Sequence, residues 1–418
     1  MTGMQRKRTY ALDNLRTFLT VLVIFHHAAL AYGGTGSFSY RSPYHPPGSS
    51  VVLTAFNVVN QTFFMGMFFL LSGYFSSIAA TKRNRAVFLK EKIKRLGAPT
   101  LLYSLLGKGL IRAIICRQRE GADWADAARE FVNGVQSTKG VGGPMWYTSL
   151  LLIFDTIYAA SYPHHFHTTP ANPPPAQSPP TPPNGPTSEK PNQSLTPTSH
   201  QLKTRHILIA LTLTSLSSFT IRTHYPFTHI FHPLNLNPGY LPQYILSYAG
   251  GIYIQLSEIA LRRLCTSRAI ATTTTLAAAF LAFGVVHARA FVADGGTLAE
   301  VMLLAGGGPN MFALVYALLN EFIGFTLSAI LLRAFHTRFL SARGTVFGHD
   351  IARCSYAAFL VHIPVLVGIM TLVDEEKWKC WSPIYKTVGV GVVGVVGSWV
   401  VGMLVRMGVE RGGGRGYL

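Results

Sequence analysis

The sequence predicts an all-α protein, a polytopic membrane helix bundle of about ten transmembrane helices with both termini in the cytosol. Of its 418 residues, 49% are hydrophobic and only 13% are charged, whereas a typical soluble domain carries about 25% charged residues. Ten apolar segments follow one another, each long enough to cross about 30 Å of hydrocarbon. This composition excludes an ordinary soluble enzyme.

The distribution of basic residues supports that topology. The predicted spans are 10–32, 51–80, 95–111, 144–162, 206–221, 239–257, 269–287, 310–332, 354–373 and 384–405. With a cytosolic N-terminus, 23 Lys and Arg lie in the six cytosolic segments, if Arg95 at the start of the third span is included, and 10 in the five outer loops, as the positive-inside rule requires. The net charge of +19 therefore reflects topology, and we expect a lipid bilayer, not nucleic acid, as the partner.

The spans divide into one membrane domain with two irregular segments. Residues 1–162 hold helices 1–4 and residues 206–406 hold helices 5–10. Between them, residues 163–205 are rich in Pro, Ser and Thr, a composition typical of a disordered loop, here cytosolic. Residues 407–418 form a flexible basic and glycine-rich tail.

Several smaller features lead to further expectations. The histidines at 164, 165 and 167 lack a neighbouring Cys or carboxylate, so we expect no metal site there. Only Cys116 and Cys380 lie on the oxidising side, which permits at most one disulfide. In the last span, Gly394, Ser398 and Gly402 recur every four residues, and such a ridge of small residues predicts close packing against another helix.

The first predicted helix carries an arginine and a histidine on one stripe. Arg16 and His27 are eleven residues apart, and eleven steps of about 100° return to within about 20° of the same face. Intramembrane ionisable groups usually face a cavity or a partner. The alternative is a snorkelling arginine and a hydrogen-bonded core histidine. His26 lies about 100° away from His27 and ranks second.

A dense basic segment follows the second predicted helix. Residues 82–95 contain seven cations and one acid, Glu91, which exceeds what orientation requires. We expect four of these cations to bind the phosphates of a ligand arriving from the cytosol: Arg83, Arg85, Lys92 and Arg95. The alternative is anchoring to anionic lipid.

Other polar and aromatic residues in the spans are candidates to support the same site. Glu321 lies at the centre of the eighth span and His362 lies inside the ninth; intramembrane ionisable groups are functional candidates by default. Ser72 lies near the end of the second span, and Trp146 opens the fourth at the outer face. Together these residues predict a polar cavity, as an intramembrane enzyme or a transporter needs.

Six sequence motifs resemble those of the acyltransferase-3 family of membrane acyltransferases, in the family's order and over nearly the whole chain. They are LDNLR at 12–16 followed by His27, FFLLSGY at 68–74, Arg95 with Pro99, PMWY at 144–147, SY at 355–356 and FLVHIP at 359–364. The doubled histidine and the Pro-rich segment look more like fungal members than bacterial ones. The departures are His26 in place of an aromatic or aliphatic residue, Lys92 where an arginine often stands, and the long linker.

The resemblance implies a ten-helix core that transfers an acyl group, often acetyl, from cytosolic acyl-CoA to a hydroxyl, commonly of a carbohydrate. The family's spacing of arginine, ten residues and histidine implies that His27 is catalytic and Arg16 is its partner. Acyl-CoA, in the simplest case acetyl-CoA, is then the co-substrate, and we expect no metal. The assignment of the basic segment to the CoA phosphates is our own hypothesis.

An imidazole suits this chemistry. His27 could take a proton from the acceptor hydroxyl or carry the acyl group transiently, and Arg16 could position the donor or stabilise developing negative charge. Glu321 and His362 could orient the site. Two alternatives to an enzyme stay open: a transporter that uses the same polar cavity, and an inactive relative that binds partners through its Pro-rich loop.

Overall fold

The computed structural model describes residues 10–167, 203–257, 261, 264–337, 345–346, 349–375 and 378–414. Twelve helices run through these residues: α1 (Tyr10–Ala31), α2 (Val51–Ala80), α3 (Arg85–Arg119), α4 (Trp124–Gln136), α5 (Met145–Ser161), α6 (Thr204–His224), α7 (Leu241–Leu256), α8 (Ser267–Ala293), α9 (Leu298–Ala305), α10 (Met311–Phe335), α11 (Ile351–Val373) and α12 (Pro383–Arg411). One hairpin pairs β1 (Thr345–Val346) with β2 (His349–Asp350).

Seven of these helices are long and apolar enough to cross a membrane: α1, α2, α3, α8, α10, α11 and α12. The other three predicted spans also coincide with helices, but α5 and α7 have only 17 and 16 residues, and α6 is rich in Ser and Thr. The prediction of an all-α, multi-pass membrane protein is confirmed. The count of ten spans and the cytosolic termini stay predictions.

Helix α1 lies in the interior of the bundle, where it contacts α2, α10, α11 and α12. Leu15, Leu19 and Ile24 are fully buried along it. These side chains are withdrawn from water and lipid, and they pack as densely as molecules in an organic crystal. The two ends of α1 differ chemically, and we call them the Asp13 end and the His27 end.

Small residues bring neighbouring helices close together. A Cβ atom on Gly73 would lie 2.1 Å from the carbonyl oxygen of Tyr248, so α2 and α7 meet with almost no space between their backbones. A Cβ atom on Gly402 would lie 2.7 Å from the backbone nitrogen of Ala358. The small-residue ridge of the last helix therefore packs against α11, as predicted from its spacing.

The basic segment is more ordered than the sequence predicts. Helix α3 begins at Arg85, ten residues before the predicted span, because the Asn84 side chain accepts a hydrogen bond from Val87 N at 2.9 Å and caps it. The buried Phe88 ring packs 5.1 Å from Phe166. The first residues of the predicted Pro-rich loop, 163–167, are thereby held against α3. Residues 168–202 lie outside the described residues, so the predicted disordered loop is otherwise untested.

Two predicted outer loops also contain structure. Helix α4 lies within residues 112–143 and packs against α3, and α9 lies within residues 288–309. The disulfide that the topology permits is not formed, since Cys116 and Cys380 are both free thiols, the first buried and the second exposed.

Candidate active site

A cavity of about 200 Å³ lies between α1, α2, α3, α5 and α11, towards the Asp13 end of α1. Four cations line it: Arg16, Arg83, Lys92 and Arg95. Aromatic side chains, including Phe68, Phe75 and Phe359, form much of the remaining wall. Such a cavity combines attraction for an anion with space for an apolar group. The structure thus brings together the predicted Arg16 and three of the four predicted phosphate ligands.

Arg16 is held at the edge of this cavity by contacts with α11 and with its own helix. Its Nη2 donates to Ala352 O on α11 at 3.2 Å and lies 3.6 Å from Asp13 Oδ1, one turn earlier on α1. The guanidinium also lies 5.8 Å from the centre of the Phe75 ring. Arg16 is therefore a positioned cation at the cavity.

The other cations have different roles. Arg83 forms an ion pair with Glu91 at 2.6 Å, and the Arg95 guanidinium lies 5.6 Å from the centre of the Tyr356 ring. Arg95 belongs to a π-helical turn within α3, Ile93–Gly97, and such turns are frequent at functional sites. Arg85 is exposed and is not among the residues that line the cavity.

Lys92 is neutralised inside the protein. Its Nζ lies 2.8 Å from Asp155 Oδ2 and donates to Ser76 Oγ at 2.7 Å. The other oxygen of Asp155 accepts a hydrogen bond from the Tyr248 hydroxyl at 2.7 Å. Asp155 is not among the residues predicted from the sequence, although an acid inside an apolar span is itself a signal of function or pairing.

Ser72 and Tyr147 meet in the cavity wall. Their hydroxyl oxygens are 2.6 Å apart, and Tyr147 also donates to Phe68 O at 3.3 Å. Trp146 does not line the cavity; its ring packs 5.6 Å from that of Tyr244. Ser72 thus lines the cavity, whereas Trp146 packs against Tyr244.

The two predicted intramembrane histidines of α1 and α11 are in direct contact. His27 Nδ1 and His362 Nε2 are 2.9 Å apart, and the His362 Nδ1 lies 2.6 Å from Phe359 O. The Phe38 ring, from the segment after α1, stacks on His27 with 5.0 Å between centroids. His362 is therefore a direct partner of His27, which sequence spacing alone could not indicate.

His26 has a different environment from its neighbour. The Asn57 Nδ2 of α2 lies 3.1 Å from His26 Nδ1 and donates to His26 O at 3.0 Å. The Phe64 ring lies 4.9 Å away. His26 therefore joins α1 to α2, away from His362.

Phe359 connects the cavity to the paired histidines. It lines the cavity, and its ring centre lies 5.6 Å from that of His362 and 5.7 Å from that of Phe68. His27 and His362 are not among the cavity-lining residues. Phe359 therefore borders both the cavity and His362, with Phe68 packed beside it.

Glu321 lies in another polar cluster. Its Oε1 accepts from Asn320 Nδ2 at 2.9 Å, and Arg222 is a charged neighbour. The Arg222 guanidinium is fully buried between Tyr240 and Tyr316, 4.5 and 5.0 Å from the two ring centres. The described contacts of Glu321 thus tie α10 to α6 and α7, and do not bring it to His27.

A sealed polar cluster covers the His27 end. Lys386 Nζ lies 2.7 Å from Asp374 Oδ1, and Tyr40 donates to Asp374 Oδ2 at 2.8 Å. Burial and the hydrogen bond to Asp374 raise the pKa of Tyr40, so its hydroxyl stays protonated and donates. Tyr40 belongs to the same segment as Phe38, so this cluster holds the segment that covers His27.

Comparison with known proteins places these features in a family. The chain matches the family model described as the acyltransferase domain over residues 9–403, nearly its whole length. It belongs to the acyltransferase-3 family. The resemblance read from the six motifs is confirmed, and this acyltransferase-3 member is an integral, multi-pass membrane protein. The match favours an acyl-transferring enzyme over the transporter alternative.

The curated relatives share a shorter region with this acyltransferase-3 member. Glucans biosynthesis protein C of Escherichia coli strain K12 is 33% identical over 101 residues, which are 24% of this chain and 25% of the relative. The protein of that name from Escherichia coli O1:K1 / APEC is 32% identical over an alignment of equal length. The chain spans about a quarter of the length of these curated relatives. No solved structure matches it.

Proposed function

We propose that the protein is an integral-membrane O-acyltransferase that moves an acyl group, acetyl in the simplest case, from cytosolic acyl-CoA to a carbohydrate hydroxyl. One observation carries the proposal. Arg16 lines the basic cavity, and His27, eleven residues further along the same helix, is hydrogen-bonded to a second buried imidazole. One helix therefore links a cavity suited to an anionic donor with a group suited to proton transfer.

The cavity has the features that an acyl-CoA requires. CoA carries several phosphate charges at one end and a narrow thioester arm at the other. Arg95 supplies charge from α3 and Arg16 supplies it from α1. Arg83, in the turn before α3, is paired with Glu91, which is the only acid among the lining residues. Arginine is well suited to phosphate because its planar fork donates two parallel hydrogen bonds. Lys92 contributes less net charge, because Asp155 already balances it.

The chemistry follows from the imidazole. The acceptor hydroxyl oxygen attacks the thioester carbonyl carbon while His27 takes the hydroxyl proton. The new C–O bond forms, the C–S bond breaks, and the departing CoA thiolate receives that proton from His27 to become the free thiol. In this step Arg16 positions the donor from the cavity side.

Delivery of the thioester requires a local opening. Phe359 borders both the cavity and His362, and Phe68 packs beside it, so we expect the two rings to part before the acyl group reaches the imidazole. Rotation of aromatic side chains is a small change compared with movement of whole helices. We therefore propose that the acyl arm passes between these rings.

The carbohydrate part of the proposal rests on the relatives. Their name assigns them to glucan biosynthesis, and a glucan offers many hydroxyl groups. A membrane-embedded acyltransferase that faces both sides of the bilayer suits an acceptor on the side opposite to the soluble donor.

The first test compares the two neighbouring histidines. We expect His27→Ala to lower transfer of label from [14C]acetyl-CoA to a linear glucan oligosaccharide by at least about 100-fold, the usual contribution of a general base. His26→Ala is the matched control, because it removes an adjacent imidazole that bonds to Asn57 instead of His362. We expect His26→Ala to retain most of the wild-type activity per amount of folded protein.

The amount of folded protein is measured for each variant by fluorescence-detected gel filtration in detergent. Wild-type transfer that persists in folded His27→Ala would contradict the role of His27. An absence of CoA release from folded wild type, over a panel of acyl-CoA donors and glucan acceptors, would contradict the proposed reaction itself.

A further inference from the structure

The hydrogen bonds around His362 determine which nitrogen of His27 carries a proton. A carbonyl oxygen can only accept, so the His362 Nδ1, 2.6 Å from Phe359 O, must carry a proton. A neutral imidazole has one N–H, so the His362 Nε2 is then an acceptor. The proton in the 2.9 Å contact between the rings therefore belongs to His27 Nδ1, and His27 Nε2 has a free lone pair.

This assignment depends on both rings being neutral, and their surroundings favour that state. His362 is fully buried. Among the described residues, the hydrogen-bond partners of the two rings are each other and a carbonyl oxygen, with no carboxylate. An isolated buried charge is expensive in such surroundings. The resting pair is therefore neutral and has one direction of hydrogen bonding.

We propose that His362 is a positioning residue which, anchored to the carbonyl of Phe359, holds His27 in the tautomer whose Nε2 accepts the substrate proton. The inference rests on the proposed acyltransferase function and assigns the supporting role at that site. When His27 takes the proton, its Nδ1–H still donates to His362, so the new imidazolium keeps a partner.

The arrangement is comparable to a catalytic triad in which the group that orients the histidine is neutral. In a Ser-His-Asp triad, a carboxylate fixes the tautomer and orientation of the histidine. Here an imidazole and a backbone carbonyl do so, and neither adds a permanent charge inside the membrane. The Phe38 ring, stacked on His27 with 21° between the planes, limits rotation of the imidazole as well.

Substitutions at His362 can separate positioning from packing. In His362→Gln, the side-chain carbonyl can occupy about the place of Nε2 and accept from His27, whereas His362→Leu fills similar space without an acceptor. We expect His362→Leu to lower kcat by about 10- to 100-fold, the usual cost of losing an orienting partner, with little change in KM for acetyl-CoA. We expect His362→Gln to recover most of that loss.

A double-variant test adds a readout that a merely structural role would not produce. In the His27→Ala background, His362→Leu should cause no further loss of kcat, because the two residues act as one unit. Leu and Gln variants of equal activity in folded protein would overturn the inference. So would an undiminished kcat in His362→Leu while His27→Ala is inactive, and that outcome would leave the proposed reaction intact.

A direct measurement of ring protonation on the wild type does not depend on catalytic activity. In protein with 15N-labelled histidine, reconstituted in lipid, solid-state NMR distinguishes protonated from unprotonated ring nitrogens. We expect His27 to show a protonated Nδ1 and an unprotonated Nε2, with assignment by loss of the signal in His27→Ala. The opposite tautomer would overturn the inference whether or not the protein transfers acyl groups.

Discussion

Two lysine–aspartate pairs among the described residues have nearly the same N–O distance but different surroundings. Lys92 and Asp155 are 2.8 Å apart beside the cavity, and the Lys92 side chain is 19% exposed. Lys386 and Asp374 are 2.7 Å apart at the His27 end, with side chains 0% and 2% exposed. The first pair borders space where an anion can approach. The second is sealed and joins the segment after α1 to the start of α12.

The difference shows how one chemical pair serves two purposes. A buried ion pair contributes little net stability, but loss of one partner leaves an uncompensated charge and is costly. Access to a cavity reduces that cost, because water or an anion can replace the lost partner. The sealed pair should therefore be essential for stability, whereas the cavity pair should affect both stability and the charge that a donor meets.

The largest effect is expected at the sealed pair. Lys386→Met leaves the Asp374 carboxylate buried without its cation, although the Tyr40 hydroxyl still donates to it. We therefore expect a loss of about 3–5 kcal/mol in the free energy of unfolding. Thermal unfolding of purified protein in detergent measures it. The double variant Lys386→Met with Asp374→Leu should recover most of the loss. If Lys386→Met were as stable as the wild type, the proposed difference between the two pairs would be contradicted.

A smaller effect is expected at the cavity pair. Asp155→Asn keeps an oxygen for the Tyr248 hydroxyl, and Lys92 keeps Ser76 and access to the cavity, so we expect a loss of about 1–3 kcal/mol. The KM for acetyl-CoA should not rise, because Lys92 now presents its full charge to the phosphates. A stability loss as large as that of Lys386→Met, or a raised KM, would contradict the distinction.

The smallest effect is expected at the cations near the cavity mouth. Arg95→Gln should raise the KM for acetyl-CoA by about two- to fivefold, the range of a partly exposed charge interaction, and the increase should shrink at high salt. Arg85→Gln should raise it less, since Arg85 does not line the cavity. Equal effects of the two substitutions would show that general charge, and not the cavity, attracts the donor.

Sequence reasoning named several residues that the structure brings together around the cavity and at His27, and the contacts that it did not predict have specific causes. The stripe of Arg16 and His27 was visible because helical periodicity is local. The start of α3 at Arg85 was missed because a basic segment was interpreted as a loop, although Asn84 is a capping residue. Glu321 was grouped with the site because it is an intramembrane acid, but its contacts belong to α6 and α7.

The sequence by itself determined the apolar spans, the membrane class, the family motifs and the shared face of Arg16 and His27, because composition and helical spacing act over short distances along the chain. Only the tertiary structure decided that His27 meets His362, 335 residues away, that Asp155 neutralises Lys92, and that a sealed cluster covers the His27 end. These contacts depend on which helices become neighbours and how each is rotated. Close packing at small residues such as Gly73 and Gly402 decides both.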